Sequence, residues 1–188
     1  MLIHFIASTD HIKDSMPYFR RIAKIVADKG HELSRDWIES SYDLATRSDE
    51  LDWQSLYKEN IEALARSDIF IADVTNKGFA VGYQAALSLQ QKKPTLLLFK
   101  DKEVDKTFMS GLDNTLLSLK TYSTEADLDG IVSHFIEENT IETKDMRFNF
   151  FIDRAIYNYL RWASLKTGKT KAEVLRELVQ REIENKDY

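Results

Sequence analysis

Residues Ser67 to Phe99 read S-D-I-F-I-A-D-V-T-N-K-G-F-A-V-G-Y-Q-A-A-L-S-L-Q-Q-K-K-P-T-L-L-L-F. Ile69 to Ala72 form a short apolar, β-rich run of the kind buried on both faces of a parallel sheet. A loop containing Gly78 follows, and Ala80 to Gln91 has helical character. Lys92-Lys93-Pro94 ends that helix, and Thr95 to Phe99 is a second buried strand. Asp68 and Asp73 bracket the first strand, Gly78 and Gly82 allow close backbone approach, and Gln84 is expected in the first helical turn. A strand, a glycine loop and a helix opening at the loop make a candidate small-molecule site.

Outward from this unit the same alternation continues. Leu2 to Ala7 is an apolar strand, followed by the polar loop Ser8-Thr9-Asp10-His11. A helix capped by Ser15, with Pro17 in its first turn, carries Tyr18, Ile22, Ile25 and Val26 and ends near Gly30. His31 to Trp37 reads as a weaker strand, Glu39 to Glu50 as a loop or lid, and Leu51 to Arg66 as a helix. Beyond the charged loop Lys100 to Lys106, Thr115 to Tyr122 is a fifth strand and Ala126 to Glu138 a closing amphipathic helix. Strands alternating with helices predict an α/β fold with a doubly wound, five-stranded parallel sheet. Ligands of such sheets bind beyond the carboxyl ends of the strands. Here those ends carry Ser8-Thr9-Asp10, Asp73 to Gly78 and Asp101.

After a polar linker at 140–146 the period changes. Arg147 to Ile152 alternates like a strand. Asp153 caps a helix bearing Ile156, Leu160 and Ala163 that stops at Gly168. Thr170 and Glu173 have capping-box spacing ahead of a last helix with Val174, Leu175, Leu178, Val179 and Ile183. The expected organisation is one domain over 1–139 and a small module over 147–188. A strand and two helices cannot bury their apolar stripe alone, so the module is expected to pair with a second copy.

The 188 residues are 43% hydrophobic and 30% charged, ordinary for a globular chain. There is no cysteine, which excludes disulfides, thiolate metal sites and cysteine nucleophiles. No apolar run approaches the ~18 residues of a membrane span, and Met1 to Ile6 lacks the features of a signal peptide, so a cytoplasmic protein is expected. The net charge of −5 divides into +3 from Lys144 onward and −8 before it. This split hints at a basic tail facing an anion. His4, His11, His31 and His134 have no ligand spacing, so no metal is expected. There is no nucleophile elbow, P-loop or full dinucleotide fingerprint, and no cofactor is expected.

The stretch from Ala65 to Phe99 resembles the core of the nucleoside 2-deoxyribosyltransferase superfamily. It is most similar to its 2'-deoxynucleoside 5'-monophosphate N-glycosidase branch, and the resemblance extends over about residues 2 to 139. The resemblance implies the same five-stranded sheet and a nucleoside or nucleotide ligand. It also implies a Glu nucleophile in a G-Y-E segment that attacks the anomeric carbon as the sugar becomes oxocarbenium-like. Gly82 and Tyr83 match directly, Asp68 matches an acid of the site, and His4 falls where a Tyr positions nucleophile and sugar. Ser8 and Thr9 fall on the loop that cradles a 5'-phosphate. Thr107 and Met109 fall where a neighbouring subunit closes the pocket.

Three residues depart from that pattern, of which His4 keeps a polar handle with a different reach. Gln84 occupies the nucleophile position, and Asp10 brings negative charge to the phosphate loop, favouring a nucleoside over a monophosphate. Three readings of Gln84 follow: a native amide in a domain that binds without cleaving, a Glu→Gln replacement that keeps shape and removes charge, or a register in which Asp73 is the working acid. Capping and loop closure by Asp68 and Asp73 explain the same acids without chemistry.

The tail from Phe148 to Glu184 resembles a ribbon-helix-helix domain of the Arc/MetJ type. This resemblance implies a homodimer whose two-stranded ribbon enters the DNA major groove. With Phe148, Phe150 and Ile152 inward, Arg147, Asn149 and Phe151 face the bases. Lys169, Thr170 and Lys171, at the start of the second helix, are then placed to hold a phosphate. Phe151 departs from the usual polar reader, and a dimerisation clasp without DNA is the simpler alternative. The expected function is a dimeric protein that binds a nucleoside-type ligand and DNA. The alternative is an N-glycosidase or deoxyribosyltransferase with Gln84 in place of its catalytic Glu.

Overall fold

A computed structural model describes residues 1–44, 52–101, 111–140 and 149–185. The chain divides into two compact units, Met1–Ile141 and Glu142–Tyr188. Among the described residues no helix is long and apolar enough to cross a membrane.

In the N-terminal unit the elements run β1 (Leu2–Ala7), α1 (Ile12–Asp28), β2 (Glu32–Leu33), α2 (Ile38–Leu44) and α3 (Trp53–Arg66). They continue through β3 (Ile69–Asp73), α4 (Phe79–Gln90), β4 (Thr95–Lys100), β5 (Leu117–Tyr122) and α5 (Glu125–Glu138). The five strands are parallel in the order β2-β1-β3-β4-β5. Side-chain alternation divides the core into two layers. Ile3, Phe5, Ile69 and Ile71 pack under α1 and α5, whereas Ile6, Phe70 and Ala72 pack under α3 and α4. This parity decides which polar side chains can meet.

Three expectations are corrected. The first helix begins at Ile12, not Ser15, and Pro17 lies inside it. Its N-cap residue His11 is left-handed (φ 57°) and makes no side-chain cap. The second strand shrinks to Glu32–Leu33, because Trp37 leaves the sheet edge to join the core. Its indole N–H donates to Phe5 O at 2.6 Å, and its ring lies 5.6 Å from Phe5 and 5.7 Å from Phe19. Ile38, also buried, then starts a helix where polar composition suggested a loop.

The C-terminal unit holds α6 (Arg154–Thr167) and α7 (Lys171–Asn185). Asp153 accepts from Ile156 N–H at 2.8 Å, and Gly168 ends α6 with φ +70°, a conformation that costs other residues energy. Thr170 and Glu173 form the reciprocal capping box at the start of α7. Leu160, Ala163 and Val174 are buried in the small core between the helices. Residues 149–153 form no strand, and Phe150 and Ile152 are half-exposed rather than inward. A lone strand has no ladder partner within one chain, so its inner face stays open.

Candidate functional site

The β1–α1 and β3–α4 loops meet at the carboxyl edge of the sheet. Asn76 donates its side-chain N–H to Asp10 O at 2.9 Å, and Ser8 Oγ accepts from Asp10 N–H at 3.3 Å. Gly78 lies beside Ser8: a Cβ at Gly78 would sit 3.4 Å from Ser8 Cβ, an ordinary contact. Gly78 is the N-cap of α4 and offers no capping side chain, so the positive end of the helix faces this edge. Thr9 is exposed, and its carbonyl accepts from Ile12 N–H at 3.2 Å.

Gln84 lies in the second turn of α4 and only 4% of it is exposed. Across the sheet, His4 on β1 is fully buried. Its even position turns it toward the α3/α4 layer, against Phe70 at a ring distance of 5.7 Å. His4 Nε2 and Gln84 Oε1 are 2.9 Å apart. An amide oxygen only accepts, so Nε2 carries the proton and donates. His4 Nδ1 then accepts from Ser34 O–H at 2.9 Å. Burial pushes the His4 pKa down to about 4, with the charges of Arg35 and Lys93 lowering it further and the Gln84 hydrogen bond opposing. At neutral pH the ring is uncharged, its tautomer is fixed, and the carboxamide oxygen is engaged.

Neither candidate acid joins this pair. Asp68 precedes β3 at the amino edge of the sheet, opposite the loops that carry Ser8 and Gly78, and its carboxylate accepts from Leu2 N–H at 2.8 Å. It is a strand-end clasp. Asp73 ends β3 at the carboxyl edge but has the parity of Ile69 and Ile71, so it faces the α1/α5 layer. There it is buried, accepting from Tyr122 O–H at 2.5 Å and from Thr75 N–H at 2.9 Å. The register in which Asp73 is the working acid therefore fails on geometry.

Tyr83 is 40% exposed, and its ring stacks on Phe79 at 6.4 Å. A Cβ at Gly82 would meet nothing described within 4 Å. Thr107, Met109 and Arg147 lie outside the described residues. Asn149 and Phe151 are exposed. At the start of α7, Lys169 pairs with Glu177, Thr170 is bonded to Glu173, and Lys171 lies 4.3 Å over the Tyr157 ring. Glu173 N–H there donates to Thr170 Oγ1 at 3.2 Å, so the start of α7 carries its own side-chain cap. No cluster of potential metal ligands occurs among the described residues. Sequence reasoning missed Ser34, which orients His4, and Tyr122, which captures Asp73. Only the alternation of β3 could have flagged the second.

No protein-family model matches the chain. A Methanosarcina mazei protein named 2'-deoxynucleoside 5'-phosphate N-hydrolase 1 is 26% identical over 118 residues, covering 63% of this chain and 73% of that protein. The 5-hydroxymethyl-dUMP N-hydrolase of Esox lucius is 24% identical over 143 residues, covering 73% and 97%. The structure of the Clostridium botulinum CMP N-glycosidase BcmB superposes with a TM-score of 0.56 at 14% identity, covering 72% of this chain and 99% of that one. The N-terminal unit shares the fold of that N-glycosidase. These similarities lie with N-glycosidases, and in the N-terminal unit His4 and Gln84 form a buried polar pair between β1 and α4.

Proposed function

We propose that the deoxyribosyltransferase-like unit takes a nucleoside or nucleotide in an N-glycosidase-type pocket at the carboxyl edge of its sheet, with Gln84 at the nucleophile position. The observation that carries this is the buried His4–Gln84 pair on β1 and α4, behind the Ser8 and Gly78 loops. The N-hydrolase names of the relatives support the substrate class. Base release breaks the C1'–N bond, and the sugar becomes cationic as the base departs. A carboxylate beneath C1' offsets that charge or forms a glycosyl ester, whereas a neutral amide does neither. The Gln84 oxygen is also committed to the His4 N–H. The unit as built therefore binds its ligand and holds it uncleaved. Calorimetric titration of the full chain with deoxynucleosides and their 5'-monophosphates tests binding. Saturable binding to at least one class is expected, and none to either refutes the reading.

For the C-terminal unit we propose a ribbon-helix-helix dimer that places Arg147, Asn149 and Phe151 toward DNA. The half-open apolar positions Phe150, Ile152 and Ile156 beside two capped helices support pairing with a second copy. Arg147→Ala combined with Asn149→Ala is expected to abolish duplex binding while leaving the molecular mass in solution unchanged. A double variant that binds DNA as the parent does removes the ribbon as reader.

A further inference from the structure

Helix α6 reads R-A-I-Y-N-Y-L-R-W-A-S-L-K-T, with three basic side chains and no acidic one. Leu160 and Ala163 are its buried positions, packed with Val174 of α7, and Ile156 lies on the same side at helical spacing. Arg154, Asn158, Arg161 and Leu165 form a stripe on the opposite side, with Trp162 beside it. All five are exposed, Leu165 by 79% and Trp162 by 55%. Neither arginine makes an ion pair among the described residues. Asp153, just ahead of the helix, is engaged as its cap. Lys166 lies 5.0 Å over the Trp162 ring, and the Tyr159 ring is 5.9 Å away.

We propose that this outer face of α6 binds single-stranded nucleic acid, with its arginines on phosphates and the Trp162 ring against a base. Positive charge with no acid to balance it calls for an anionic partner. A guanidinium matches a phosphate through paired N–H donors. An exposed indole offers a flat face on which any base can stack, so charge and ring together fit a nucleotide chain. A duplex keeps its bases stacked on one another, whereas a single strand presents their faces to a side chain. Asn158, between the arginines, both donates and accepts, as a base edge requires.

The face has room for such a strand. Arg154 and Leu165 stand about 16 Å apart along the helix axis. A lipid surface would draw on a broad apolar face, and here Leu165 is the one aliphatic member of the stripe. Pairing of two copies through Ile156 and the half-open positions Phe150 and Ile152 leaves the stripe outside. Single-strand binding therefore does not depend on duplex reading by the ribbon.

The test is fluorescence anisotropy of a short labelled oligothymidylate titrated with the full chain. Thymidine 5'-monophosphate is present throughout to occupy a mononucleotide site in the N-terminal unit. Binding is expected to weaken with salt at a log–log slope of about −2, from roughly −0.7 for each phosphate contact at Arg154, Arg161 and Lys166. Arg154→Gln combined with Arg161→Gln is expected to bring that slope to about −0.7. Trp162→Ala is expected to weaken binding about tenfold or more, and Trp162→Phe, which keeps a ring, to restore most of the affinity. That rescue separates stacking from an effect on the fold. An oligothymidylate that does not bind, or that binds the parent, Trp162→Ala and the double arginine variant alike, overturns the proposal. Binding to vesicles of phosphatidylcholine and phosphatidylserine that is lost in Trp162→Ala, with none to the oligonucleotide, overturns it in favour of a lipid surface.

Discussion

Tyr122→Phe isolates the clasp at the carboxyl edge of the sheet. The Tyr122 hydroxyl is buried at the end of β5 and donates to Asp73 Oδ2 at 2.5 Å. Asp73 Oδ1 takes the Thr75 N–H, and Thr75 Oγ1 accepts from Lys100 N–H at 2.8 Å, so one network ties the ends of β3, β4 and β5. The substitution removes a single oxygen and opens almost no cavity. Its cost is the loss of a hydrogen bond to a buried carboxylate, ~2 kcal/mol within a range of about 1.5–3. Amide exchange by mass spectrometry reads the N-terminal unit separately from the C-terminal one, and β3 and β4 peptides should exchange on the order of 30-fold faster. The alkaline side carries a second signature. Burial first, then the Asp73 charge and hydrogen bond, raises the Tyr122 pKa above its ordinary 10. Below pH ~10 both states keep the proton; above it only the folded state does, so stability falls as pH rises. Urea unfolding between about pH 9 and 11 should show a shallower loss for Tyr122→Phe than for the parent. Exchange accelerated less than about fivefold, with an unchanged alkaline slope, refutes the clasp.

His4, held neutral with a pKa of about 4 against 6.5 unfolded, makes stability fall as pH drops from 6.5 toward 4, by about 3 kcal/mol in all. Urea unfolding across that window should show the slope, and His4→Gln should flatten it. Asp68→Ala removes the acceptor of Leu2 N–H and the negative charge near Lys93 and His31, so a loss of about 1 kcal/mol is expected in thermal unfolding with ligand affinity unchanged by calorimetry. Asp153→Ala removes the cap of α6 and should cost about 1 kcal/mol, read as roughly fivefold faster exchange in α6 peptides.

Much of the fold is legible in the sequence because apolar runs and helical stripes carry it. Ile69 to Ala72 and Thr95 to Phe99 can only be buried strands, and Asp153, Gly168 and the Thr170–Glu173 box delimit their helices through local hydrogen bonds. Segments held by distant contacts are less legible. Trp37 reads as strand until its indole is seen bonded to Phe5 O. The candidate site is less legible, because its buried pair comes from distant stretches of the chain. Gln84 and His4 sit 80 residues apart, and only the sheet order brings them to 2.9 Å. Asp68 and Asp73 look like a pair flanking one strand, but strand length separates their edges and parity turns Asp73 into the other layer.

Nucleobase release by the parent and by Gln84→Glu, followed chromatographically with deoxynucleosides and their 5'-monophosphates, tests the central claim most directly. On the proposed reading, a carboxylate at position 84 supplies the group that a bound sugar needs, with the His4 N–H still available to hold it. The account predicts binding without release by the parent and release by Gln84→Glu on the order of 10²-fold or more above it. Equal release by both proteins, or none by Gln84→Glu when the ligand is bound, contradicts it.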